Sequence, residues 1–162
     1  MRRDVFTAYA IVRSAEYRGG ARAEEYVAWA QDALEAGHDS PALLRLAIEE
    51  PPFFTPDLRA LFEAAVDELG LEKISGEQAL IIHAQDVARR LAAGELHPRE
   101  AATLLSNIFP PDLAPRGFTD WYLVHDCDYC RESFAGPDRT LEQAIRAEAS
   151  KLRDVDWRAH TS

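Results

Sequence analysis

Apolar side chains recur along most of this chain at a spacing of 3.6 residues, so the pattern predicts a succession of amphipathic helices. Val5, Ala8, Tyr9 and Val12 share one face of a helix running from Asp4 to Tyr17, which Gly19-Gly20 ends. A second spans Ala21 to Ala36, with Val27, Ala30 and Leu34 inward and Gly37 at its close. Ser40-Pro41 opens a third, since serine caps a free amide and proline fits the first turn. Pro51-Pro52 stops it near Glu50. Thr55-Pro56 repeats the start signal for the clearest helix. There Leu58, Leu61, Phe62, Ala65, Val66 and Leu69 form one stripe, and Asp57, Arg59, Glu63, Asp67 and Glu68 occupy the other side.

A fifth helix runs from Ser75 to Gly94 with Leu80, Ala84, Val87, Ala88 and Leu91 inward. Ile81 extends that stripe and Ile82 lies opposite, which marks this helix as central or as the bearer of a contact surface. His97-Pro98 opens a sixth, with Ala101, Leu104, Leu105 and Ile108 on one face. The prolines and glycine between Asn107 and Gly117 then predict a loop. Residues Phe118 to Cys130 carry no clear period and read as either a short helix or a brief extended segment. Glu132 to Pro137 reads as loop. A last helix from Asp138 to Asp154 places Leu141, Ile145, Ala149 and Leu152 inward. The expected fold is all-α: a compact single-domain bundle of six to eight helices over residues 1–154, with a loosely ordered tail over 155–162 unless Trp157 docks.

Composition agrees with that picture. The 162 residues suffice for one domain with a real core, and alanine and leucine, which lose little entropy in a helix, are frequent. Charge adds a constraint: 28 acidic against 18 basic residues give a formal net charge of −10. Such a surface repels phosphate backbones and anionic lipid, so neither nucleic acid nor membrane is an expected partner. It serves solubility, or it complements a basic protein. No run of 18 apolar residues predicts a membrane span. Asp4, Thr7 and Arg13 interrupt any apolar leader, so the expected location is the cytoplasm.

The one motif with chemical content is His125-Asp126-Cys127-Asp128-Tyr129-Cys130. Two thiolates at this spacing, with His125, offer three ligands for zinc, and a fourth would have to come through the fold from His38, His83, His97, His160 or a carboxylate. The alternative is that both cysteines are small, partly buried hydrophobes at helical spacing and no cofactor is present. A redox pair is not expected, because Asp126 and Asp128 raise the pKa of a neighbouring thiol. The same stretch combines acids with aromatics: Asp120, Trp121, Tyr122, Asp126, Asp128, Tyr129 and Glu132. Exposed, it is a protein-binding edge; buried, its aromatics close the core beneath a loop. His83 and Asp86, three residues apart on a helix, form a candidate general-base pair or a boundary histidine with a neighbour. Glu24-Glu25 and Glu49-Glu50 read as solvated acids. The glycine-rich nucleotide loops, the Gly-x-Ser-x-Gly elbow and His-Glu-x-x-His are all missing from the sequence, so no catalytic residue is assigned and an enzyme is not the expectation.

Gly37-His38-Asp39-Ser40-Pro41-Ala42-Leu43-Leu44-Arg45-Leu46-Ala47, the ending Glu68-Leu69-Gly70 and Ala93-Gly94-Glu95-Leu96-His97-Pro98-Arg99-Glu100-Ala101 follow one another in a telling order. With the helix from Glu142 to Leu152, that order resembles a group of small all-helical bacterial proteins of uncharacterised role. The shared signals are helix caps and core faces, and they carry no catalytic residue across. Some acidic helical proteins of this size act as immunity or antitoxin-like partners, and by that analogy the expected function is a non-enzymatic, immunity-type or accessory module that masks a basic partner. The alternative is a small zinc-binding protein using His125, Cys127 and Cys130.

Overall fold

The computed structural model describes residues 3–160. Among them are eight α-helices and no strand. They are α1 (Val5–Tyr17), α2 (Ala23–Glu35), α3 (Pro41–Ala47), α4 (Thr55–Glu68), α5 (Gly76–Ala92), α6 (Pro98–Ile108), α7 (Asp128–Ala135) and α8 (Leu141–Leu152), with 3-10 turns at Trp121–Val124 and Trp157–Ala159. The all-α class is thus observed. Contacts group the helices into two compact units, one ending at Gly76 and one starting at Glu77, each with its own apolar cluster.

Local sequence sets the helix ends. Asp4 Oδ1 accepts the Thr7 amide at 2.8 Å and starts α1. Ser40 Oγ accepts the Leu43 amide at 3.2 Å ahead of Pro41 and starts α3. Each satisfies an amide that has no partner within its helix. Helix α4 begins at Thr55 itself, with Phe54 as its cap, so the threonine lies one position inside the predicted start. Gly37 adopts φ +90° directly after α2, a conformation that costs a residue with a Cβ.

In the first unit, α1, α2, α3 and α4 close around Phe62, which is fully buried. Its ring centroid lies 4.8 Å from Trp29, 5.2 Å from Tyr26 and 5.8 Å from Tyr9, the first two edge-on. Edge-to-face packing matches the positive ring edge to the negative face. A polar rim covers this cluster. Arg13 bridges Glu16 at 2.8 Å and Glu63 at 2.6 Å, and the Tyr26 hydroxyl donates to Glu16 Oε1 at 2.7 Å. Burial opposes the Arg13 charge, but its bonds with Tyr9, Glu16 and Glu63 more than offset that, so its pKa rises. Burial, then the bond to Glu16, also pushes the Tyr26 hydroxyl upward.

The second unit collects Leu80, Val87 and Leu91 of α5, Leu105 and Ile108 of α6, Trp121, and Ile145 and Leu152 of α8 into one cluster. In α5, Ile81 and Ile82 are buried as well as Leu80, so apolar burial extends over a second side of this helix. Thr140 and Gln143 cap α8 reciprocally: the Gln143 amide donates to Thr140 Oγ1 at 3.2 Å, and the Thr140 amide donates to Gln143 Oε1 at 2.9 Å. This box sets the start of α8 at Leu141 rather than at Asp138. The Gln85 side-chain amide donates to the carbonyls of Leu152 at 3.1 Å and Val155 at 2.8 Å. His160 Nδ1 lies 3.2 Å from Glu77 Oε1. These contacts hold residues 155–160 against the unit, and Thr161 and Ser162 lie outside the described residues.

The segment read as loop from Glu132 to Pro137 requires correction. It is the second half of α7 as far as Ala135, and Gly136, at φ +75°, then closes the helix. Trp121–Val124, left open between helix and extended chain, is a single 3-10 turn. No helix among the described residues is long and apolar enough to cross a membrane.

Candidate functional site

The site builds from two short consecutive elements. Asp120 Oδ1 accepts the Tyr122 amide at 3.0 Å and so starts the 3-10 turn. A turn of three residues eclipses positions i and i+3. Trp121 and Val124 accordingly point inward together and are buried, while Tyr122 is 58% exposed. The Trp121 ring lies 5.7 Å from Phe134, whose helix it supports. Its Nε1–H is buried and has no hydrogen-bond partner among the described residues.

His125 ends the turn, its amide donating to the Tyr122 carbonyl at 3.0 Å. The chain then passes Asp126 and enters α7 with Cys127 as the N-cap residue. Asp128 is exposed and pairs with Arg131 at 2.6 Å. Tyr129 is 78% exposed, and Glu132 is exposed. Of the seven residues expected to meet a partner, six therefore face water and Trp121 does not. Its ring forms the floor of the segment, because the 3-10 turn directs it to the same side as Val124.

One turn of helix brings the two sulfurs together. Cys127 Sγ and Cys130 Sγ are 3.3 Å apart, both thiols free. Cys130 Sγ lies 3.4 Å from Asp126 Oδ2, to which it donates. The donor atoms of Asp126, Cys127 and Cys130 all lie within 4.8 Å of one another. The expected set had His125 as its third member. Among the described residues His125 does not join the cluster, and Asp126 takes that place. The sequence allowed a carboxylate as the fourth ligand without naming it; the structure brings Asp126, next to Cys127, into the cluster.

The thiols are electrostatically unequal. Cys127 is exposed, and interaction with the Cys130 backbone N–H, then with the Cys130 thiol, holds it below the ordinary thiol value. The nearby Asp126 charge opposes this and is outweighed. Cys130 is half-buried and pushed up to about 11, first by its bond with Cys127 and then by Asp126. Asp126 thus pushes both thiols upward as expected, but for Cys127 the interactions with Cys130 outweigh it, and only Cys130 ends above the ordinary thiol value. For Cys127 the start of α7 supplies amide donors that sequence spacing did not reveal.

The remaining candidates lie elsewhere. In α5, Asp86 is 3% exposed and its carboxylate is 3.9 Å from Arg89, while His83 is half-buried one turn away. Glu25 Oε2 accepts the Arg22 amide at 2.7 Å, an end cap for α2 and no catalytic arrangement. The chain is an all-α protein with an exposed acidic and aromatic segment and a close thiol pair. Comparison with protein families, with curated proteins and with solved structures finds no match to it.

Proposed function

We propose that this protein is a non-enzymatic binding module, of immunity or accessory type, whose segment 120–132 receives a basic surface of a partner protein. The observation that carries this reading is the solvent exposure of Tyr122 and Tyr129 among the exposed acids Asp120, Asp126, Asp128 and Glu132. An exposed tyrosine offers a large, stiff contact area at low entropy cost, and tyrosine is enriched where interface energy concentrates. Carboxylates around it select lysine and arginine and speed the encounter. The formal charge of −10 acts in the same direction at longer range.

The test is capture of a partner on immobilised protein, identification of that partner, and measurement of its affinity. A basic partner is expected. Its affinity should fall at least about tenfold on Tyr129→Ala, as a central aromatic anchor implies. It should fall further on joint Asp120→Lys, Asp128→Lys and Glu132→Lys, and it should weaken with salt. A partner that binds this combined variant as tightly as the parent protein refutes the reading.

A further inference from the structure

The cysteines carry a second inference, which does not depend on any partner. We propose that Cys127 and Cys130 form a thiol–disulfide exchange pair, in which exposed Cys127 attacks a small disulfide and half-buried Cys130 resolves the adduct.

Geometry supports this assignment of roles. The sulfurs are already 3.3 Å apart, so small side-chain rotations bring them to the roughly 2.05 Å of a disulfide bond. Cys127 is the cap residue of α7 and faces water, so an incoming disulfide reaches it first. Its sulfur lies at the N-terminal, positive end of α7 without a side-chain cap hydrogen bond, so once ionised it meets amides that favour negative charge. Cys130 lies one turn further in, less accessible, with its S–H directed at Asp126 Oδ2 3.4 Å away. The depressed Cys127 and raised Cys130 thiols agree with an attacking and a resolving sulfur.

The steps balance with a small disulfide, RSSR, as oxidant. The Cys127 thiolate attacks one sulfur, a Cys127–S–S–R bond forms, and RS⁻ leaves to take a proton from water. Cys130 then gives its proton to solvent past the Asp126 carboxylate and attacks the Cys127 sulfur. The second RS⁻ leaves and is protonated. Two protein thiols have become one disulfide, and RSSR has become two RSH.

Zinc is the competing use of the same atoms. A closed structural site takes four ligands, and thiolates roughly 2.3 Å from the metal in a tetrahedron stand about 3.8 Å apart. Here three donor groups converge, the sulfurs are closer than that, and no further His, Cys, Asp or Glu joins them among the described residues. The exchange pair needs only the two sulfurs and a route for one proton, all of which are present.

The test uses full-length protein, purified without chelator, assayed for zinc, then reduced and exposed to mixtures of oxidised and reduced glutathione. Products are trapped with an alkylating agent and read by intact mass spectrometry. The parent protein should form an internal disulfide and hold no lasting glutathione adduct. Cys130→Ser should trap one glutathione on Cys127. Cys127→Ser should react at least about tenfold more slowly at pH 7, because the remaining thiol is half-buried where Cys127 was exposed. Brief alkylation of the reduced parent protein, with the label mapped by peptide, reads the same ordering without any substitution. Equal labelling of the two cysteines, a stable adduct with no internal disulfide, or one zinc per chain that blocks reaction until chelator is added would each overturn the proposal. Partner affinity is measured in a separate experiment, so either reading can fail without the other.

Discussion

Replacing Phe62 by alanine probes how the first unit holds together. The ring is fully buried and touches three other aromatic rings at centroid distances of 4.8 to 5.8 Å, and the Arg13 guanidinium lies 5.7 Å from its centroid. Truncating a buried phenylalanine costs about 3–5 kcal/mol through lost transfer energy and the cavity left behind. The edge-on pairs add about 0.5–1.5 kcal/mol of geometry-dependent attraction each, which places Phe62→Ala near the upper end. Phe62→Leu refills much of the space and should cost about 1–2 kcal/mol. Urea unfolding followed by circular dichroism reads both. With a slope of about 2 kcal/mol per molar urea, the alanine variant should unfold about 2 M earlier and the leucine variant less than about 1 M earlier. Hydrogen exchange should show the loss of protection in α1, α2 and α4. A shift below about 0.5 M for Phe62→Ala would mean that the cluster can collapse around the gap, and the reasoning from ring contacts would fail.

Further outcomes follow from the caps, the charges and one close approach. Thr140→Ala removes half of the reciprocal cap of α8 and should cost about 1 kcal/mol in urea unfolding, with Ser40→Ala at the start of α3 similar. Burial would raise Glu148, but hydrogen bonds from Lys151 and Thr119 outweigh it, so its folded pKa is lowered. Its contribution is therefore present above the ordinary carboxylate value and is lost as pH falls through the lowered one. The stability difference between parent protein and Glu148→Gln should be found at pH 7 and vanish near pH 2. A Cβ placed on Gly76 would overlap the Tyr17 ring, so Gly76→Ala should lower the melting temperature, and adding Tyr17→Ala should recover part of the loss.

The helices that a reader of the sequence can find are those whose cores are periodic. Leu58, Phe62, Ala65 and Val66 in α4 are all buried as their spacing demands, and the Ser40-Pro41 start of α3 appears as a cap whose Oγ accepts the Leu43 amide. Helix α7 escaped for the converse reason. Among its eight residues only Ala135 is buried, and the Phe134 ring packs beneath, so no stripe exists to be read. That omission propagated into the site. The spacing of Cys127 and Cys130 was visible, but the effect on Cys127 depends on knowing that a helix starts there. The neighbouring acids, which are visible in sequence, argued the other way. Exposure was likewise beyond reach: Tyr122 and Trp121 are adjacent and similar in character, and only the 3-10 turn decides which one faces water.

The unbonded indole of Trp121 has an optical consequence. A tryptophan sealed from solvent, with no acceptor on its N–H, emits at short wavelength, and this one rests on Phe134 within the helix that carries Cys130. With Trp29 and Trp157 replaced by phenylalanine, its fluorescence serves as an intrinsic gauge of whether that helix stays seated while the sulfurs react or a ligand docks, without any attached dye.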